Sequence, residues 1–220
     1  MVWRFLHTTK RKLKLKANSF RSHETKQDLS PYWQEEMAKI LETWGEGNAW
    51  NEIGMFLLNA KGKTLDIACG TGKVMSILEG LNSNLDIYGC DISEMLIEKA
   101  VARGLDKKKL KVCDATHMPD YADDSFDSAY TIGSLEHFTE DGIAKLISET
   151  KRIVKGHCFH MMPTSRSGKN EGWLKTYQSF FNNSPNWWVE KFQKEFKNVQ
   201  VFDCAWTDEL SVGKWFVTKR

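Results

Sequence analysis

Leu65-Asp66-Ile67-Ala68-Cys69-Gly70-Thr71-Gly72-Lys73-Val74 is the stretch whose reading decides the fold. It predicts a short buried strand over residues 64–68, a glycine turn, and a helix beginning near Thr71 or Gly72. Gly70 and Gly72 carry no Cβ, so the backbone turns sharply there and a ligand can lie directly against it. The first N–H groups of the helix point outward without intrahelical partners. Such a corner is where open α/β sheets hold nucleotide-like ligands. A carboxylate at the strand end, Asp66, argues against a phosphate and for a ligand that carries an ammonium group.

Two better-known corners do not fit. A P-loop demands Gly-x-x-x-x-Gly-Lys-Ser/Thr, but Ile67 stands five residues before Gly72 and Val74 follows Lys73. A dinucleotide fingerprint wants a third glycine where Met75 stands.

Outward from this corner, strands and helices alternate. Strands are predicted over residues 85–90, 110–113, 125–131 and 157–162, the last ended by Pro163. Helices are predicted over 74–81, 93–102 and 141–154, with Ser93 as a cap. This alternation calls for a parallel sheet covered by helices on both faces. On the N-terminal side, Ser30-Pro31 opens a helix with the apolar stripe Trp33, Met37, Ile40, Leu41 and Trp44, ended by Gly45. A second helix spans 49–58. On the C-terminal side come a Gly/Ser/Asn-rich loop, an aromatic stretch, and a helix near 188–196. Strands over 199–205 and 213–218 follow, joined by a short turn that implies an antiparallel ending. The expected architecture is a seven-stranded, mostly parallel sheet with an antiparallel C-terminal strand.

A chain of 220 residues with 41% hydrophobic and 12% aromatic content buries one good core. Residues 31–220 are therefore expected to form a single domain: N-terminal helices to 59, a core over 60–165, and an acceptor-side insertion with the last strands over 166–220. Residues 1–30 read as a basic, mobile arm; seven Lys/Arg and no acid fall in the first 23 residues. The formal charge of +2 thus hides an acidic body, which argues against a nucleic-acid partner. The arm itself suits weak contact with an acidic membrane surface. The cysteines, Cys69, Cys90, Cys113, Cys158 and Cys204, form no Cys-x-x-Cys pair and suit free thiols in a reducing, cytoplasmic setting. No apolar run reaches membrane-spanning length. His157 and His160, three apart on a strand, face opposite sides and do not share a metal, so no metal is expected.

The central stretch resembles the glycine-rich motif of class I S-adenosylmethionine-dependent methyltransferases, with Ala68 where many members carry another glycine. Three further segments in order extend the resemblance over residues 60–165: Gly89-Cys90-Asp91-Ile92-Ser93, Cys113-Asp114-Ala115, and Thr131-Ile132-Gly133-Ser134-Leu135-Glu136-His137-Phe138, the last similar to the "LEH" signature of small-molecule members. The resemblance implies a Rossmann-like fold and S-adenosylmethionine as cofactor, released as S-adenosylhomocysteine. It implies a cofactor site of Asp66, Ala68, Gly70, Gly72, Asp91, Ile92, Asp114, Ala115 and Ile132. Asp91 would meet the ribose hydroxyls, Ile92 one face of the adenine, and Asp114 the exocyclic amine. The segment after the fourth strand lacks the Asn/Asp-Pro-Pro-aromatic run of amino-group modifiers of nucleic acids and the Pro-Cys nucleophile of cytosine C5 enzymes.

Methyl transfer from a sulfonium needs chiefly a dry, well-aligned pocket, and a base when the acceptor is a hydroxyl. His137 is the first candidate base and His160 the second, which favours oxygen over nitrogen. Candidates for the acceptor wall are Tyr32, Trp33, Glu136, Arg166, Trp173 and Tyr177, with a saccharide or other small biosynthetic precursor as acceptor. The competing readings are a non-catalytic S-adenosylmethionine-binding protein of the same fold and an NAD-binding oxidoreductase.

Overall fold

The computed structural model describes residues 27–43 and 49–220. Most of the expected basic arm, and the Trp44–Gly45 end of the first helix, lie outside the described residues. A 3-10 turn, Ser30–Trp33, precedes helices α1 (Glu35–Thr43) and α2 (Trp50–Phe56). Then come β1 (Lys63–Ile67), α3 (Lys73–Leu81), β2 (Asp86–Asp91), α4 (Glu94–Ala102), β3 (Leu110–Val112) and β4 (Phe126–Ile132). A 3-10 turn at Leu135–His137 leads to α5 (Glu140–Ile153) and β5 (Val154–Ser165). The chain finishes with β6 (Trp173–Leu174), β7 (Phe180–Phe181), α6 (Pro185–Phe192), β8 (Val199–Thr207) and β9 (Ser211–Lys219).

Seven strands pair in the order β3-β2-β1-β4-β5-β9-β8. The first five are parallel, and β9 runs antiparallel between β5 and β8. This is the Rossmann-like, seven-stranded architecture expected from the sequence. Strand order reverses at β1, which has β2 on one side and β4 on the other, so the carboxyl ends of β1 and β4 border a crevice.

Side-chain alternation along the strands builds a core on each face. Leu65, Ile67, Phe126 and Phe216 join Leu146, Trp188 and Phe192 of α5 and α6 on one face. Tyr130, Met161 and Trp215 join Ile53, Met75 and Leu78 of α2 and α3 on the other. Trp188, Trp215, Phe192 and Phe216 are completely buried, and each such side chain contributes about 1.5–3 kcal/mol through burial alone. No helix among the described residues is long and apolar enough to cross a membrane. All five cysteines are free thiols.

Several boundaries differ from the sequence reading. The first helix is broken: Gln34 is extended (φ −109°, ψ 138°) between the 3-10 turn and α1. Ser30 does not cap it, because its hydroxyl and N–H both donate to Asp28. Pro163 does not end β5, which continues to Ser165 paired with β9. Beyond Met161 the strand has no β4 partner, so a residue without an N–H is tolerated there. The last helix starts at Pro185 behind a Ser184 cap and stops at Phe192. The aromatic stretch contains a two-stranded ribbon, β6–β7, not foreseen from the sequence.

One close approach fixes the start of β5. The β4–β5 register shifts between Phe126 and Ser128, and a Cβ on Gly156 would lie 2.2 Å from the Asp127 carbonyl oxygen. Gly156→Ala is expected to lower unfolding stability in urea by about 1–3 kcal/mol, the usual cost of overpacking against backbone. An unchanged denaturation midpoint would show that this strand entry has slack.

Candidate functional site

The turn between β1 and α3 follows a left-handed path. Ala68, Gly70 and Gly72 have φ of 59°, 56° and 68°. Glycine adopts this conformation freely, whereas Ala68 holds its Cβ against the following carbonyl. The path is pinned by backbone bonds from Cys69 N–H to the Cys90 carbonyl (2.9 Å) and from Gly72 N–H to the Cys69 carbonyl (3.0 Å). Gly70 N–H donates to Asp91 Oδ2 at 2.9 Å, and Ser93 N–H donates to Asp91 Oδ1 at 2.9 Å. Asp91 thereby ties the ends of β1 and β2 together. Gly72 stands behind the turn as the α3 cap residue, with no room for a Cβ beside Leu105.

The crevice is lined by Asp66, Ala68, Gly70 and Thr71 from the turn, Ile132 and Gly133 from the end of β4, Leu41 from α1, and Gln178 from the β6–β7 loop. Leu41 lies over Gly70, with Cδ1 3.0 Å from where a Cβ would stand. The C-terminal end of α1 is locked to the turn by polar groups. The Glu42 carboxylate accepts from Thr71 Oγ1 and Arg103 Nη2, the Glu42 carbonyl accepts from Lys73 Nζ (2.6 Å), and Arg103 Nε donates to the Thr71 carbonyl (3.0 Å). Burial works against ionisation of Glu42, but the bonds from Thr71 and Arg103 outweigh it and hold the carboxyl below its usual range.

Burial shapes the rest of the electrostatics. It raises Asp66 well above the carboxylate range; the Tyr130 hydroxyl opposes this and the nearby Asp91 adds to it. Burial likewise lifts Asp91 to about 6, against the bonds from Ser93 and Gly70. Two acids that resist ionisation beside one cleft suit a ligand bringing positive charge and hydroxyl donors.

Past β4, Gly133 (φ 65°) turns the chain into the Leu135–His137 3-10 turn, whose three residues are buried. His137 Nδ1 lies 2.9 Å from the Ser179 carbonyl and Nε2 lies 3.6 Å from Glu136 Oε1. Donation to Ser179 fixes the tautomer with the proton on Nδ1 and leaves Nε2 able to accept. Burial lowers His137 to about 4, the bond to Ser179 acting the other way. Tyr32 reaches the same region: its phenol hydrogen-bonds the Gln178 side chain and feels the charges of Glu136 and Asp91. Its carbonyl accepts from Ser93 Oγ at 2.6 Å, so the Ser30–Trp33 turn covers the end of β2.

Asp66, Ala68, Gly70 and Ile132 thus line one cleft, with Asp91, Glu136, His137 and Tyr32 gathered beside it. Ile92 is half-buried, Ala115 is buried in the core, and Asp114 is exposed with Oδ1 accepting from Thr116 N–H and Oγ1 at 2.8 Å each. Other candidates are placed elsewhere. His160 is fully buried, lies 3.0 Å from Thr131 Oγ1, and stacks on Phe192 at 5.0 Å; burial lowers it to about 3. Arg166 binds Thr207 and the Asp208 carbonyl at the β8–β9 turn, so its charge serves that hairpin. Trp173 is buried against Phe181 at 4.8 Å. Trp33 is 49% exposed, and Tyr177, also 49% exposed, donates to Gln34 Oε1 at 3.0 Å. Sequence reasoning missed Leu41, Glu42, Arg103 and Gln178, because their roles arise from elements brought together only in space.

Residues 64–157 match the family described as a methyltransferase domain. A probable tRNA methyltransferase 9B from Bos taurus is 31% identical over 135 residues, covering 60% of this chain and 26% of that protein. A ubiquinone/menaquinone biosynthesis C-methyltransferase, UbiE, from Desulfotalea psychrophila is 29% identical over 142 residues, covering 61% of this chain and 54% of that protein. The chain therefore spans about a quarter and about half of these two relatives. A 1,6-didemethyltoxoflavin-N1-methyltransferase from Burkholderia thailandensis, solved with bound 1,6-didemethyltoxoflavin and S-adenosylhomocysteine, shares the fold. Its TM-score is 0.69 at 13% identity, over 88% of this chain and 85% of that one.

Ala68 offers a direct test of the turn. A left-handed alanine costs about 1–2 kcal/mol, while replacement by glycine loses about 0.5–1 kcal/mol of backbone entropy. Ala68→Gly is expected to leave the melting temperature equal or higher, unlike a glycine placed at an ordinary strand end. A clear drop would show that the turn is not strained at Ala68.

Proposed function

We propose that the methyltransferase domain matched over residues 64–157 is of the class I, S-adenosylmethionine-dependent kind, and that it transfers a methyl group to an oxygen of a small-molecule acceptor. One juxtaposition carries this reading: Asp66 and the glycine turn share a cleft with Ile132 and Gly133, and the His137–Glu136 pair follows that same strand end in the Leu135–His137 turn. The residues fit the cofactor. Asp66 suits its ammonium, Gly70 and the left-handed turn leave backbone open to it, and Asp91 suits its ribose hydroxyls. Ile92, Asp114 and Ala115 are proposed for the adenine. Bound there, S-adenosylmethionine supplies a methyl group already activated on sulfonium.

The protein's own contribution is positioning, exclusion of water, and proton handling. Leu41, Tyr32 and the Ser30–Trp33 turn cover the cleft. His137 is neutral at ordinary pH, and its Nε2 takes the hydroxyl proton of the acceptor. The charge that forms is stabilised by Glu136 beside it. Relatives named for transfer to carbon, to a ring nitrogen and to tRNA leave the acceptor class open. A small hydroxylated acceptor rather than nucleic acid is favoured by the acidic body of the chain and by the neutral His137. Calorimetry should detect S-adenosylmethionine and S-adenosylhomocysteine but not NAD. Binding of NAD alone would overturn the reading. Intact-mass screening of hydroxylated acceptors for one added methyl group tests turnover, and binding without any turnover would favour the non-catalytic alternative.

Asp91 gives the pH dependence. Its raised value means that its neutral form favours the folded protein below about 4, and this contribution is lost as pH rises through about 6. Ionised Asp91 is the better partner for hydroxyl donors and positive charge, so affinity for S-adenosylmethionine should rise with pH through about 6. Asp91→Asn should flatten that rise and weaken binding about tenfold or more at neutral pH. Equal affinity in the two proteins would remove Asp91 from the site.

His137→Ala should cut turnover of a hydroxyl acceptor by about 10²–10⁴-fold with little change in cofactor affinity. Because burial holds His137 near 4, the wild-type rate should be flat at neutral pH and fall only in acid. Near-normal turnover in the variant would return His137 to a purely structural role holding Ser179.

A further inference from the structure

Gln178 lines the cleft of the glycine turn, and its side chain is nine-tenths buried (8% exposed). Its amide hydrogen-bonds the Tyr32 phenol, yet among the described residues Oε1 has no hydrogen-bond partner. A buried amide oxygen left unpaired is costly, so a residue held in this state points to a donor that arrives from outside. Asp66, another buried acceptor, lines the same cleft. Two acceptors sharing one cleft match a primary ammonium, which carries three N–H donors and a positive charge.

We propose that Gln178 Oε1 and Asp66 together bind the ammonium of the cofactor's methionine half, so that the β6–β7 loop closes on the cofactor. This rests on the methyltransferase reading above and adds a contact from the acceptor-side insertion. The next residue makes the contact consequential. Ser179 holds His137 through its carbonyl, so one short loop bridges the ammonium and the candidate base. Cofactor occupancy thereby fixes the wall against which the acceptor must dock, and the cofactor binds first.

The test is calorimetry on Gln178→Leu and Gln178→Glu with three probes: S-adenosylmethionine, S-adenosylhomocysteine, and 5′-methylthioadenosine, which keeps the nucleoside and thioether but lacks the ammonium. Gln178→Leu should weaken the first two by about ten- to hundredfold and leave the third unchanged. Gln178→Glu, which keeps an acceptor and adds charge, should bind S-adenosylmethionine at least as well as Gln178→Leu does. A matched readout is trypsin cleavage after the exposed Lys175, which S-adenosylmethionine should slow in the wild type but not in Gln178→Leu. Unchanged affinity for all three probes would overturn the proposal. So would equal weakening of all three, which marks a packing defect, or a Gln178→Glu protein weaker than Gln178→Leu, which marks an amide N–H facing a carboxylate. Wild-type protein that binds none of the probes would overturn the methyltransferase reading and this contact with it.

Discussion

The bond from Gly70 N–H to the Asp91 carboxylate is the constraint on which the cleft depends. It holds the left-handed turn after β1 against the end of β2, while Ser93 N–H fixes the other carboxylate oxygen and caps α4 through its hydroxyl. Without it, the turn would keep its three left-handed residues but lose the strut that aims them at the crevice. The same group is asked to do two things. It is an internal tie in this structure and the natural partner for a ligand's hydroxyls. Its retained acceptor capacity makes both possible, since an ionised carboxylate offers about four lone-pair sites.

Closure gives that arrangement its chemical character. α1 is bolted to the turn through Glu42, Thr71, Lys73 and Arg103, and the Ser30–Trp33 turn reaches the end of β2 through Tyr32. Burial then acts in opposite directions on acids and bases. It lifts Asp66 and Asp91 and depresses His137, so these three groups are pushed toward their neutral forms. Asp66, neutral by burial, favours a cationic ligand, because ionising it beside a positive group recovers what desolvation removed. The neutral imidazole follows from the same burial.

The parallel half of this fold was legible because its signals are local. A buried strand running into Gly70 and Gly72, and the Ser93 cap after Asp91, are each readable within about ten residues. Periodicity in the sequence likewise placed β1 through β4 within a residue or two of their observed ends. What was not legible depends on partners distant in sequence. Arg103 looks like an ordinary helix-end cation until Glu42 and Thr71 are seen beside it. Arg166 looks available for an anionic acceptor until the β8–β9 turn claims it. His137 and His160 are the same residue type near neighbouring strands, but only His137 lies past the end of its strand, at the carboxyl edge. His160 lies within β5, opposite Thr131, where the core surrounds it.

Pro163 shows what the misread boundary conceals. Because β9 pairs with β5 as far as Ser165↔Ser211, the ladder extends beyond the last β4 contact at Met161 and carries the following chain out over the crevice. There the insertion is rooted firmly. Ser165 N–H bonds the Asn183 carbonyl, Asn182 and Gly172 exchange backbone contacts with the facing segment, and the Asn182 side chain bonds Glu171 and Ser211. Its tip is different: Lys175, Thr176 and Tyr177 are exposed, and the main link across to the N-terminal segment is one Tyr177–Gln34 hydrogen bond beside the Tyr32–Gln178 pair. The tip is thus held by fewer bonds than the root, which is tied into the sheet. The antiparallel end of the sheet therefore does more than finish the fold. By lengthening β5 it roots the insertion that brings Gln178 to the cleft of the glycine turn, so two segments far apart in sequence line one site.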